Sequence, residues 1–212
     1  MSTGSISPAD ASLTYLPFRQ CLADGLAGRQ QVYADLAEQS KTVRLLSPLE
    51  LPGELQTEAW MRSVFSYNPG FTDDDQRRDI DAATAARQAR AALLTTGESE
   101  YHLLTSTIPL RYRRTWPQLG EQIEHLIHAA AATQFRLGLI PDGAPTRMTP
   151  YQAVTLYDRR LVEVETYSGM LYLSDPEDFA ANERAFEEFA RSALYGHDAI
   201  AELHRLRAEL LG

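Results

Sequence analysis

At 212 residues, 44% of them hydrophobic and 23% charged, the chain can bury a sizeable core and fits one domain or a tight pair, with one compact unit as the default. Its 20 Lys+Arg against 29 Asp+Glu leave a net charge of -9, a field that repels a phosphate backbone and argues against direct nucleic-acid binding. The single cysteine, Cys21, rules out an intramolecular disulfide and suits a reducing cytoplasm, while the lack of a basic-then-apolar leader or a long apolar run disfavours secretion and membrane spanning.

Residues 1–17 are rich in Ser, Thr, Ala and Pro without periodicity and read as a flexible lead-in, with one domain over 18–212. From Phe18 to Ser40 apolar residues recur at helical spacing, and "TVRLLSP" then reads as a short strand ended by Pro48. In "LELPGELQTEAWMRSVF", Pro52 suits the first turn of a helix, with Glu54 inside that turn. "FTDDDQRRDIDAATAARQARAALLTTG" reads as a long helix with Thr72 as N-cap and Gly97 as stop. "EYHLLTSTI" alternates as a strand, and the residues after Pro117 form an amphipathic helix. "QFRLGLIP", "YQAVTLYD", "LVEVETYSG" and "MLYLSD" are closely spaced β-like segments, which suggests antiparallel pairing. Ser174 with Glu177 forms a candidate capping box for a further helix, Gly196 stops it, and Ile200, Leu203, Leu206 and Leu210 mark a last one. The expected fold is α+β: a small, mostly antiparallel sheet of about five strands, with helices before and after it.

Glu121, His125 and His128 share one helix face at metal-ligand spacing, but that face lies opposite the apolar one, so a solvated polar face is the plainer reading. No GxSxG, Walker or GxGxxG pattern occurs, and no cofactor is implied. In "RRLVEVETY", alternation puts Glu163 and Glu165 opposite Val162 and Val164; with the valines on the core, the glutamates face solvent or a cavity. Tyr151, Tyr157, Tyr167 and Tyr172 cluster in the same region, and a concave sheet face of tyrosines and acids makes a reasonable ligand pocket, although a half-exposed sheet with Arg and Glu pairs is commoner. Arg111 in "LRYRR" belongs to a compact basic patch in an acidic chain, and Trp60 stands near the Pro-Gly turn as a further ligand-binding candidate.

"LLSPLELPGELQTEAWMR", "AARQARAALL", "GEQIEHL" and "LVEVETYSGMLYLSDPEDFAANERAFEEFARSAL" occur in this order. Together they resemble the domain of unknown function found C-terminal to Xre-type helix-turn-helix domains in WhiJ-like, antitoxin-like regulators. The resemblance runs from about residue 18 to the C-terminus and implies the sensing or partner-binding half of a regulator of development and secondary metabolism. The DNA-binding domain of such regulators is expected to be missing here, since only some 17 residues precede the match. Ser47 stands where that family usually has Glu, Glu54 where it has an apolar residue, and a histidine expected near "IPDGAPTR" is absent.

The expected function is therefore a stand-alone, cytoplasmic binding domain that takes a small molecule or a small partner protein and possesses a possible homo-oligomeric face. The alternative is recruitment as a biosynthetic cyclase, isomerase or lyase, with Glu54 and Glu165 as acid/base groups and Tyr112 as donor to a developing oxyanion.

Overall fold

The computed structural model describes residues 12–66, 79–113 and 115–212. Its strands are β1 (Leu13–Pro17), β2 (Thr42–Ser47), β3 (Glu100–Ser106), β4 (Arg136–Ile140), β5 (Val154–Tyr157), β6 (Leu161–Glu165), β7 (Gly169–Leu173) and β8 (Leu194–Tyr195). The helices are α1 (Phe18–Cys21), α2 (Gly25–Glu38), α3 (Glu58–Ser66), α4 (Ile80–Thr96), α5 (Ile108–Tyr112), α6 (Leu119–Ala131), α7 (Pro176–Ser192) and α8 (Gly196–Leu211). The Thr72 cap proposed for the long helix lies outside the described residues.

The expectation of a small, mostly antiparallel sheet of about five strands is overturned. One mixed sheet carries eight strands in the order β1-β7-β6-β5-β2-β3-β4-β8. β2, β3 and β4 pair in parallel, joined by crossovers through α3 and α4 and then through α5 and α6, while β5, β6 and β7 form an antiparallel meander beside β2. Crossovers of this length carry no local pairing signal, so "QFRLGLIP" could not reveal from its own residues that its neighbour is β3. The supposed lead-in also contributes: Leu13–Pro17 is the edge strand β1, in register with β7 from Leu13↔Leu173 to Pro17↔Gly169.

Helices cover both faces of the sheet. On one, Val43, Leu103, Leu139 and Tyr157 pack with Leu36 of α2, Trp60 of α3, Ile123 of α6 and Leu203 of α8. On the other, Leu46, Leu104, Leu156, Val162 and Val164 meet Phe179, Phe186 and Phe189 of α7. Strands buried on both sides read as continuous apolar runs, as Leu103 and Leu104 do.

Three local expectations also change. Pro52 precedes not α3 but a short 3₁₀ turn, Gly53–Leu55; α3 begins at Glu58, with Trp60 N-H donating to the Thr57 hydroxyl at 3.4 Å. The cap of α7 is Asp175, which accepts from Glu177 N-H, and not Ser174. Gly196 opens α8 and does not close the preceding helix, which ends at Ser192 with Ala193 as its C-cap; its φ of +50° is a conformation that favours glycine.

Candidate functional site

The stretch from Pro48 to Thr57 leaves the C-terminal end of β2, on the side of an α/β sheet where ligands commonly bind. Its backbone is held by buried side chains. Ser106 Oγ donates to Pro48 O at 2.6 Å, and Gln56 Nε2 to Leu51 O at 2.8 Å. Gln122, fully buried on α6, accepts from Thr57 N at 2.8 Å and donates to Leu55 O at 2.7 Å. These bonds satisfy an irregular segment that would otherwise bury unpaired polar groups.

Behind this turn lies a cluster of charges. Arg29 of α2 donates through Nη1 to the Tyr172 hydroxyl at 2.8 Å and stacks over the Tyr33 ring, with its Cζ 4.0 Å from the ring centroid. Its Nη2 stands 3.4 Å from Glu163 Oε1. Arg90 of α4 lies over the same Tyr33 ring and stands 3.4 Å, Nε to Oε1, from Glu54. Arg87, one helical turn earlier, donates to Gln30 at 3.1 Å and to Gln56 at 2.6 Å, and it stacks on Phe65. Arg29 is 5%, Arg90 7% and Glu163 3% exposed. Yet Arg29 Nε and Nη2, Arg90 Nε, Glu54 Oε2 and Glu163 Oε2 are buried without a hydrogen-bond partner. Each such atom costs free energy, so the cluster is electrically paired but poorly satisfied.

Electrostatics follow from burial. Desolvation lifts the Glu163 carboxyl above the usual range, with Arg29 pulling the other way. Desolvation also lifts the carboxyl of Glu165, at the end of β6, with Arg29, Arg87 and Arg90 pulling the other way. Burial, reinforced by the like charge of Arg90, lowers Arg87 to about 10. Tyr157 and Tyr172 are both pushed up, chiefly by burial, so they are neutral hydrogen-bonding groups.

Cross-strand register aligns Leu45, Thr155, Glu163 and Tyr172 in one row over β2, β5, β6 and β7. Although β2 and β5 are interior strands, Leu45 and Thr155 remain half-buried, so the helices do not fully cover the sheet beside the cluster.

The structure thus brings Glu54, Glu163, Glu165, Tyr157 and Tyr172 around one set of arginines. Glu163 is enclosed instead of facing solvent, because α2 covers the face opposite the valines. Tyr112, Tyr151 and Tyr167 are exposed, by 83%, 70% and 89%, and do not join it. Trp60 is wholly buried, 4.9 Å from the Trp116 ring, with its indole N-H donating to Glu50. Arg111 is occupied by Glu209 and Asp142. Among the described residues no group of His, Cys, Asp or Glu is placed to hold a metal ion, the Glu121, His125 and His128 face included. A surface groove of ≈ 570 Å³ beside α7, lined by Arg147, Met148, Glu183 and Glu187 among others, contains none of the residues singled out.

A family model described as "Domain of unknown function (DUF5753)" matches residues 30–205. The chain belongs to the DUF5753 family. No curated protein matches it. Among solved structures, the chain is similar to the archaeal chromatin protein TrmBL2 at 10% identity and a TM-score of 0.43, covering 92% of this chain and 57% of that one. It spans little more than half the length of that protein. The phospholipase D family member Nuc from Salmonella typhimurium gives 10% identity and a TM-score of 0.42, covering 86% of this chain and 95% of that one; for NucT from Helicobacter pylori the figures are 12%, 0.42, 87% and 97%. Likenesses this distant carry no argument about function.

Within the DUF5753 match lie Glu54, Arg87, Arg90, Glu163 and Glu165, and Arg29 stands one residue before it. The sequence carries one signal for the arginines, which motif spacing alone does not pick out. Ala83, Arg87, Arg90 and Leu94 fall at i, i+4, i+7 and i+11 on α4, which puts two arginines on the stripe that faces inward. No helix among the described residues is long and apolar enough to cross a membrane.

Proposed function

We propose that the chain is a regulator-derived binding domain, the counterpart of the sensing half of WhiJ-like, Xre-type regulators, and that it takes a small molecule in developmental or secondary-metabolite control. The observation that supports this reading is the set of buried, unmatched donors and acceptors on Arg29, Arg90, Glu54 and Glu163 beside the half-open row of Leu45 and Thr155. A purely structural ion-pair network would gain from closing those contacts to hydrogen-bond distance, whereas a binding site leaves them for its ligand. A small partner protein delivering a polar side chain is the other occupant of the same place.

A metabolite screen by thermal shift tests the reading. A ligand at a hundred times its Kd adds about 2.7 kcal/mol, which for a chain of this size raises the melting temperature by about 5–10 °C. Silence across the screen, together with no protein co-purifying from the native host, would remove the proposal.

A further inference from the structure

Which chemistry would the cluster accept? On the reading of the cluster as a binding site, the form of the Arg29–Glu163 pair restricts the answer. Arg29 spends Nη1 on Tyr172, and its plane is fixed by stacking on Tyr33. The edge formed by Nε and Nη2 is left without hydrogen bonds, and that edge is the one whose parallel donors match a carboxylate. Facing it at 3.4 Å is Glu163, near enough to the Tyr172 hydroxyl for its pKa to be pulled down by it, yet with Oε2 buried and making no hydrogen bond of normal geometry.

Both side chains are more than nine-tenths buried, so anything that inserts between them must leave neither charge alone. A simple anion would pair with Arg29 and strand Glu163. A simple cation would do the reverse. Stranding one member of a buried pair is far costlier than exchanging both partners. A molecule carrying both charges avoids the penalty on each side. Glu165, exposed at the end of the same strand, adds a second carboxylate within the field of Arg29, Arg87 and Arg90.

We propose that the cluster binds an amino-acid-like zwitterion, with the ligand carboxylate on the Nε/Nη2 edge of Arg29 and its ammonium on Glu163 and Glu165. The loose ion pair becomes two hydrogen-bonded pairs, and the partly open row of Leu45 and Thr155 takes the side chain. No covalent step is involved.

The test is calorimetric titration of the full chain with matched probes: L-leucine, L-glutamate and L-lysine as zwitterions, isoamylamine as leucine without its carboxylate, isocaproate as leucine without its amine, and glucose as a neutral polyol. At least one zwitterion should bind, at least tenfold more tightly than isoamylamine and isocaproate. Glu165→Gln, which removes the charge and keeps the shape of the side chain, should weaken the zwitterion at least tenfold, with the urea unfolding of the variant measured beside it. Arg29→Lys, which keeps the charge but removes the two-pronged edge, should do the same. Binding of glucose, isoamylamine or isocaproate as tightly as any zwitterion overturns the zwitterion assignment and leaves the binding-domain reading standing. Zwitterion binding unchanged by both substitutions places the ligand elsewhere and overturns it too. No heat from any probe overturns the inference, and the metabolite screen then decides the broader reading by itself.

Discussion

The guanidinium of Arg90 fills the space that a side chain on Gly53 would need: a Cβ built there collides with Arg90 Nη2 and comes within 3.3 Å of Arg87 Cδ. Gly53 is not in the left-handed region, so what it supplies is room and not backbone freedom. Gly53→Ala should therefore leave the 3₁₀ turn formed but push Arg90 off Glu54. We expect a loss of about 1–3 kcal/mol in urea unfolding, the usual range for a disturbed buried polar contact. A neutral result would mean that Arg90 moves aside freely.

Gln122 should be the costliest polar side chain to lose. It is fully buried and bridges Thr57 N-H and Leu55 C=O across the motif turn. Gln122→Leu strands both backbone groups, and at about 1–3 kcal/mol for each unmet group the sum is about 2–6 kcal/mol. Denaturant titration measures it. A loss below about 1 kcal/mol would show that the turn finds other partners or opens to water.

His102 makes stability fall in mild acid. Burial, with Arg136 and Arg44 adding to it, lowers the ring from 6.5 to about 4. The unfolded chain then binds the proton at higher pH than the folded one, so its contribution is intact above 6.5 and is lost as pH drops from there toward 4. The ring is only part-buried, so the contribution is about 1–2 kcal/mol. The raised carboxyls of Glu163 and Glu165 act with the opposite sign. The difference between the parent chain and His102→Leu, followed by urea unfolding across this range, isolates the histidine. Parallel curves would refute the assignment.

Asp158 combines two effects that substitutions can separate. Its φ is +54°, and its carboxylate accepts from Lys41 N at 2.8 Å and Thr42 N at 2.9 Å, clasping the start of β2. Alanine loses both bonds and keeps the backbone strain. Glycine loses the bonds but relieves about 1–2 kcal/mol of strain, and asparagine keeps an acceptor. Stability should fall in the order parent, Asn, Gly, Ala, as read from thermal unfolding; alanine above glycine would show that the strain is negligible.

How much of this was legible beforehand varies with the range of the interaction involved. The apolar spacing of Leu119, Ile123, Leu126 and Ala130 announces α6, and the runs around Leu46, Val154 and Val162 announce strands, because helix and strand periods are local properties. What Leu137 pairs with is not local, nor is the pairing of Leu13 with Leu173, six strands later in the sequence. The glutamates of β6 and Tyr157 and Tyr172 were visible as unusual residues in a core-like pattern. Their arginine partners come from α2 and α4, and only the folded chain shows that Tyr33 is shared between Arg29 and Arg90. Exposed aromatics such as Tyr151 and Tyr167 mislead for the same reason: a tyrosine in sequence does not say which face it occupies.

The edge pairing of β1 has a mechanical consequence. Tyr172, whose hydroxyl holds Arg29, lies in register with Thr14 on β1, and Ser174 N-H ties the next turn of chain to Ser12 O at 3.1 Å. The incoming polypeptide is therefore zipped to the very strand that anchors the charged cluster. A shift in the seam between β1 and β7 thus reaches Arg29 through one side chain, that of Tyr172.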